Sequence, residues 1–296
     1  MSQVLFGPMR PSFLLLVPCC VAVGAATATW SGAAWSWRHL GLAFLGALAA
    51  HISVNALNEY DDFRSGLDLR TRRTPFSGGS GTLPQHPDGA GVALAVGLVA
   101  LAVVVAVGLY FTWLRGRAIL PLGLLGILVV VSYTRWLTRD PWLCLIAPGL
   151  GFGPLMVVGT HFALTGDYSW SALVASLVPF FLVSNLLLLN QFPDLEADRA
   201  VGRRHLLIRA GRRAGVQVYA LFMVLAYASV VAGWLAGRLP ATSLLALLTV
   251  ILAVPTVRGA ARHAASIPEL IPHMGRNVVI TLATPVLVAI GLLVGS

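Results

Sequence analysis

Nine stretches of the 296-residue chain are apolar over the length an α-helix needs to cross a bilayer, about 20 residues. They fall near 12–30, 39–60, 90–113, 118–137, 142–164, 170–192, 214–236, 241–258 and 276–295. Inside lipid a backbone N–H or C=O finds no water, so a spanning segment must satisfy its own hydrogen bonds as a helix or join a closed barrel. The expectation is an all-α, polytopic membrane protein of nine transmembrane helices, with residues 1–296 forming a single transmembrane domain. A composition of 57% hydrophobic and 10% charged residues agrees. The first run follows Arg10, is short and ends in small residues, as a cleaved export signal does. Eight further spans make it read as the first helix instead.

The basic residues sort by side. All 20 are arginine, each a permanent charge in a planar fork that grips phosphate at two points. With nine alternating spans, 16 of them fall on the side of the N-terminus, and only Arg38, Arg115, Arg117 and Arg238 fall on the other. By the positive-inside rule the N-terminus and the loops after even-numbered helices are cytoplasmic, in an inner (cell) membrane of bacterial type. The net charge of +9 is then a matter of topology and surrounding lipid, and gives no case for a nucleic-acid partner. Cys19, Cys20 and Cys144 lie inside apolar runs, show no metal or disulfide spacing, and read as lipid-facing or packing residues.

Seven of the 11 acidic residues are concentrated in two stretches, NALNEYDDFRSGLD at 55–68 and NQFPDLEADRAVGRR at 190–204. They close the second and sixth runs. Asn190 and Asp194 repeat Asn58 and Asp62 at an offset of 132 residues, which suggests a four-helix pseudo-repeat, helices 1–4 and 5–8. Asn55, Asn58 and Asp62 share one helix face, as do Asn190, Asp194 and Asp198. Carboxylates so spaced repel unless a positive charge lies between them. Carboxylates and amide carbonyls form the oxygen-only set that Mg²⁺ accepts, and Mg²⁺ characteristically keeps waters and bridges a few carboxylates to substrate phosphates.

Asp62, Asp68, Asp194 and Asp198 are therefore the candidate catalytic and metal-binding residues, with Asn58 and Asn190 as ligands or orienters and a diphosphate held between the helices. Arg64, Arg72, Arg73, Arg203 and Tyr133 are candidates for the phosphate oxygens, although each arginine serves equally well as a topology determinant. Glu59 and Asp61 point off the main face and are expected to be solvated, like Asp88, Asp140, Asp167 and Glu269. Pro193 removes a backbone donor and is expected either to kink the sixth helix or to mark its end.

The pattern Asn58-x-x-x-Asp62-x-x-x-Gly66-x-Asp68 with Asn190-x-x-x-Asp194-x-x-x-Asp198-x-x-x-Gly202-Arg203 resembles the paired aspartate-rich motifs of the UbiA superfamily, the intramembrane prenyltransferases. Arg10-Pro11, SGGSG at 77–81, Tyr133, GPLMVVGT at 153–160 and Thr165-Gly166 extend the likeness along the chain. The spacing is most similar to the branch that prenylates 1,4-dihydroxy-2-naphthoate in menaquinone biosynthesis. That resemblance implies nine helices around a central cavity, cytoplasmic access, and Mg²⁺-dependent transfer of a prenyl group from an isoprenoid diphosphate to an aromatic acceptor. The chain departs from the branch at Glu59, where aspartate is common, at Ser65, where lysine is common, and at His205, where threonine is usual. It also lacks a clear Leu-Gly-Glu before the fifth helix, which leaves hydroxybenzoate, homogentisate, haem or a sugar phosphate open as acceptors.

An allylic diphosphate ionises when its leaving charge is neutralised, and the carbocation must meet the acceptor before water does. The glycine-rich 77–81 segment is placed to act as a lid, and Phe63, Phe76 and Tyr133 to shield the cation through their ring faces. A cation-coupled transporter is the rival from another class, but transporters put carboxylates near the midplane on broken helices. Here they close the helices beside six arginines in 199–213.

Overall fold

The structure, a computed structural model, describes residues 2–296. Among the described residues all regular structure is helical. Eight helices are long and apolar enough to span: α1 Phe13–Trp30, α2 Trp37–Arg64, α3 Pro87–Arg115, α5 Pro141–Thr165, α6 Trp170–Ala200, α7 Leu206–Leu235, α8 Ala241–His263 and α9 Ile267–Gly295. The ninth expected span, α4, is a shorter apolar helix, Arg117–Ser132. It stops before the predicted 137 because residues 133–139 fold into tight turns, closed by the Thr138 amide donating to Tyr133 O at 3.1 Å. The expected count of nine is thus corrected to eight full-length spans and one short one.

Three boundaries are set by side-chain caps. Ser36 accepts from the Arg38 amide at 3.2 Å and Ser169 from the Ser171 amide at 3.2 Å, starting α2 and α6. Asp140, expected to be loop solvation, accepts from the amides of Trp142 and Leu143 at 3.0 and 2.9 Å and starts α5, satisfying donors that lipid would leave orphaned. The helices that carry the acidic motifs run further than their apolar cores, to Arg64 and Ala200, so the motifs are helical rather than loop. Pro193 neither ends nor interrupts the assigned α6. In α7 the true break is Gly211, whose φ of 81° separates Leu206–Ala210 from the membrane-crossing part.

Burial orders the bundle. The apolar stretch of α3 is only 17% buried and that of α6 67%, so α3 faces lipid while α6 is the central column. Close approach to α6 is built on glycine: a Cβ at Gly149 would stand 2.1 Å from Phe180 O and one at Gly153 2.5 Å from Ser176 O, so α5 lies almost against the α6 backbone. The Gly153 contact falls where α5 widens into a π-helical stretch, Gly151–Val158.

Because lipid is as apolar as leucine, burial of apolar surface alone cannot hold such helices together, and buried hydrogen bonds add specificity. Asn185 of α6 donates to Tyr219 O at 2.8 Å, and the Tyr219 hydroxyl donates to Asn277 Oδ1 of α9 at 2.8 Å. Tyr227, Thr249 and Thr284 link α7, α8 and α9 in the same way at 2.9 and 2.8 Å. Replacing Tyr219 by Phe removes one bridge with little change of shape. A loss of about 1 kcal/mol in unfolding free energy is expected, read as a lower denaturation midpoint in detergent, and additive with Thr284→Val on the other link.

Candidate active site

The two acidic helix ends meet at one end of the bundle, at the mouth of a cavity of about 480 Å³. Asn58, Asp62, Asp68, Asn190, Asp194, Asp198, Arg73, Tyr133 and Arg203 all line it. Arg64 and Arg72, proposed from sequence for the same phosphate, are exposed and do not. The deeper wall is apolar, with Leu16, Val54, Val129, Phe152, Met156 and Leu187. Polarity therefore changes along the cavity, from ionised groups at the mouth to hydrocarbon at depth.

Arg203 holds the mouth together. One guanidinium nitrogen donates to Asp62 Oδ1 at 2.5 Å and another to Asp198 Oδ1 at 2.8 Å, tying α2 to α6. His205 Nε2 lies 3.1 Å from the second oxygen of Asp198. The positive charge that the carboxylate spacing demanded is here supplied by the protein. Burial alone would lower the affinity of Arg203 for its proton, but Asp62 and Asp198 outweigh it and hold the guanidinium above its ordinary range.

A second pair of buried charges lies behind the first. Glu59, expected to be solvated, is fully buried: Arg10 Nε and a terminal nitrogen donate to its Oε2 at 3.0 and 2.9 Å, and the Ser80 amide donates to its Oε1 at 3.0 Å. The Ser80 hydroxyl also donates to Glu59. The glycine-rich segment is thus pinned at its centre by a carboxylate of α2. Its conformation requires glycine: Gly79 has a φ of 69°, and a Cβ there would stand 3.0 Å from Asp68 Oδ1. Arg10 is itself left-handed at φ 50°, a conformation that costs a side-chain-bearing residue about 1–2 kcal/mol. Asn55 donates to Met9 O at 3.0 Å and holds the turn that delivers Arg10 to the cavity.

The remaining carboxylates are less satisfied. Asp68 Oδ2 and Asp194 Oδ1 are buried with no hydrogen-bond partner. Burial first, then the charges of Asp62 and Glu59, push the Asp68 carboxyl up to about 7. Asp194 lies against Ser77 and the Gly78 amide of the glycine-rich segment. Asn58 donates to Thr134 Oγ1 at 3.0 Å. Among the described residues no three of His, Cys, Asp and Glu converge as a ready-made metal cage. The observed set is instead an open one: two carboxylates, each with one under-satisfied oxygen, lining a cavity between two arginine-bridged helices.

Arg10, Glu59, His51 and His205 were not recognised from sequence as site residues. His51 is buried on the cavity wall with its ring edge-on to Phe152, centroids 4.7 Å apart, and its Nδ1 has no partner. A signal was present: His51, Asn55, Asn58 and Asp62 share one helical face. Asp61 does lie outward, paired with exposed Arg135 at 3.0 Å.

An all-helical multi-pass membrane protein whose polar-mouthed, apolar-walled cavity lies between two aspartate-bearing helices is the class that fold and site define. The chain belongs to the UbiA prenyltransferase family, whose model matches residues 15–267, and it is a membrane prenyltransferase. It is 24% identical over 84% of its length to the 2-carboxy-1,4-naphthoquinone phytyltransferase of Synechocystis, of which 80% is covered. Over 97% of its length it is 25% identical to the 1,4-dihydroxy-2-naphthoate octaprenyltransferase of Haemophilus influenzae, of which 94% is covered. Among solved structures, the apo UbiA homologue of Aeropyrum pernix matches with a TM-score of 0.68 at 18% identity, over 96% of this chain and 98% of that one. The Archaeoglobus fulgidus homologue bound to GPP and Mg²⁺ matches with a TM-score of 0.65 at 14% identity, over 98% and 99%.

Glu59→Gln keeps the shape but removes the charge that holds Arg10 and Ser80. It is expected to lower stability by about 1–3 kcal/mol and to speed hydrogen exchange at the amides of 78–81, with the α6 amides unchanged. Equal exchange at 78–81 in both proteins would show that the segment is ordered by something else.

Proposed function

We propose that the chain transfers a prenyl group from an isoprenoid diphosphate to 1,4-dihydroxy-2-naphthoate, a step of menaquinone biosynthesis. The observation that carries the reading is the graded cavity: a charged mouth suited to a diphosphate opening onto an apolar chamber suited to a prenyl tail and an aromatic ring. The naphthoate acceptor is supported by the relatives, several of which are 1,4-dihydroxy-2-naphthoate octaprenyltransferases.

Asp68 and Asp194, with buried oxygens lacking partners, are the residues that fit Mg²⁺ first, and Asp62 and Asp198 join them if Arg203 turns from the carboxylates to the phosphate. Mg²⁺ held there would supply positive charge against the diphosphate oxygens as the allylic carbon–oxygen bond breaks. Arg203 and Arg73, both of which line the cavity, bind the same headgroup, and the Tyr133 hydroxyl, kept protonated by burial, donates a hydrogen bond to it. When the bond breaks, its electron pair leaves with the diphosphate. A ring carbon of the acceptor then provides the electron pair of the new carbon–carbon bond, and the ring regains aromaticity when that carbon loses its former substituent without the bonding pair, as a proton from a C–H carbon or as carbon dioxide from the carboxylate-bearing one. The apolar wall excludes water from the carbocation, and the Glu59-anchored glycine segment closes the cavity on the side of the mouth. His51, one helical turn below Asn55 with a free Nδ1, meets a hydroxyl of the acceptor. The arginine bias supports a mouth that opens to the cytoplasm.

Mass spectrometry of products, from protein given Mg²⁺, a long-chain prenyl diphosphate and a panel of aromatic acceptors, tests the assignment. Prenylated dihydroxynaphthoate is expected, lost on chelation and reduced about a hundredfold in Asp194→Asn. Reaction with a different acceptor alone would overturn the naphthoate reading while leaving the transferase intact. His51→Phe is expected to raise KM for the acceptor about tenfold with little change in KM for the diphosphate, since one hydrogen bond is worth about 1.4 kcal/mol.

A further inference from the structure

A second concavity, of about 320 Å³, lies between α8 and α9, lined by Arg258, Gly259, Arg262, His263, His273 and Arg276. It belongs to the same end of the bundle as the carboxylates, because a Cβ on neighbouring Gly275 would stand 3.3 Å from the Phe76 ring of the loop over the active site. Arg258 and Arg262 are four residues apart on one face of α8, and Arg276 reaches the same space from α9. Among the described residues none of these three arginines has a carboxylate within 4.0 Å. The nearby acid, Glu269, is engaged by His263 Nδ1 at 2.6 Å.

The pocket has a built floor. The rings of His263 and His273 stack with centroids 5.7 Å apart and planes 10° from parallel, and His273 Nδ1 is buried without a partner. The His273 ring lies so close over Gly259 that a Cβ there would stand 1.9 Å from its Cε1. Membrane sidedness accounts for the number of arginines at these helix ends, but not for their convergence on a glycine-floored pocket. Three unpaired guanidinium groups around a concavity call for an anion with several oxygens.

The surface beside it states what carries that anion. Ile251 and Val254 precede Arg258 by seven and four residues, and Val279 follows Arg276 by three, so apolar side chains continue each arginine's helix face into the bilayer. They are 80%, 43% and 50% exposed. We propose that this pocket seats the phosphate headgroup of an anionic membrane phospholipid, its acyl chains lying along α8 and α9. Basic pockets between helices at the membrane surface are the setting in which such headgroups bind.

The test uses the full-length protein purified in neutral detergent and compares three probes: phosphatidylglycerol, phosphatidylcholine and inorganic phosphate. Retained lipid is read by native mass spectrometry and protection by thermal unfolding. Wild type is expected to retain phosphatidylglycerol at least about tenfold over phosphatidylcholine and to be raised in Tm by it, with millimolar phosphate giving no such rise. The triple variant Arg258→Gln, Arg262→Gln, Arg276→Gln is expected to lose the preference. The triple Arg→Lys variant, which keeps the charge that sets topology, and Gly259→Ala, which displaces the His273 ring, are each expected to weaken it severalfold while remaining monodisperse and folded. Equal protection by inorganic phosphate would overturn the lipid in favour of a soluble phosphate ligand. Unchanged phosphatidylglycerol retention in all three variants, or no discrimination by wild type, would overturn the site.

Discussion

The bidentate reach of Arg203, from Asp62 on α2 to Asp198 on α6, is the interaction on which the rest of the site depends. Both carboxylates are buried, and two like charges at the ends of adjacent helices in a poorly hydrated bundle would otherwise drive those ends apart or take up protons. With the guanidinium between them the helices converge, and the convergence creates the mouth. Arg10 pairs with the single carboxylate of Glu59, and there the pairing reaches into the backbone of the glycine-rich segment. Ion pairs built on two arginines are also ones that a polyanionic ligand can reorganise, because the same guanidinium groups that satisfy carboxylates satisfy phosphate.

The bundle solves two solvation problems with opposite solutions. Its outside is hydrocarbon-facing, so α3, an almost continuous run of Ala, Val, Leu and Gly, is also among the least buried spans. Its inside must be held by something other than the hydrophobic effect, and the Asn185, Tyr219 and Asn277 chain with the glycine contacts of α5 on α6 provide it. The cavity lies where these regimes meet. A substrate with an ionic head and a hydrocarbon tail matches that gradient along its whole length, which is why a membrane, rather than a soluble tunnel, is an efficient host for prenyl chemistry.

The Arg258, Arg262 and Arg276 pocket shows the same logic facing outward, with charge at the level of the headgroups and apolar surface beneath it. Active-site and lipid-facing arginines are of one residue type and sit at one end of the bundle, and what separates their roles is the company they keep: carboxylates in the first case, histidine rings and open lipid surface in the second.

Much of this protein was legible in its sequence because the bilayer makes local rules nearly sufficient. Apolar length places the spans, and the repeated Asn-x-x-x-Asp spacing marks the two helices that meet. Side chains beyond that grammar were not legible. Glu59 and Asp61 are two residues apart on one helix, yet one is buried against Arg10 and the other pairs with exposed Arg135. Arg64, Arg72 and Arg73 carry identical charge a few residues apart, and only Arg73 turns into the cavity. Helical periodicity states which residues share a face, and the bilayer states which segments are helices. Which face meets a neighbour, and whether a charge ends beside water or an opposite charge, depends on contacts between residues 49, 74 or 141 positions apart, and only the packed bundle decides those.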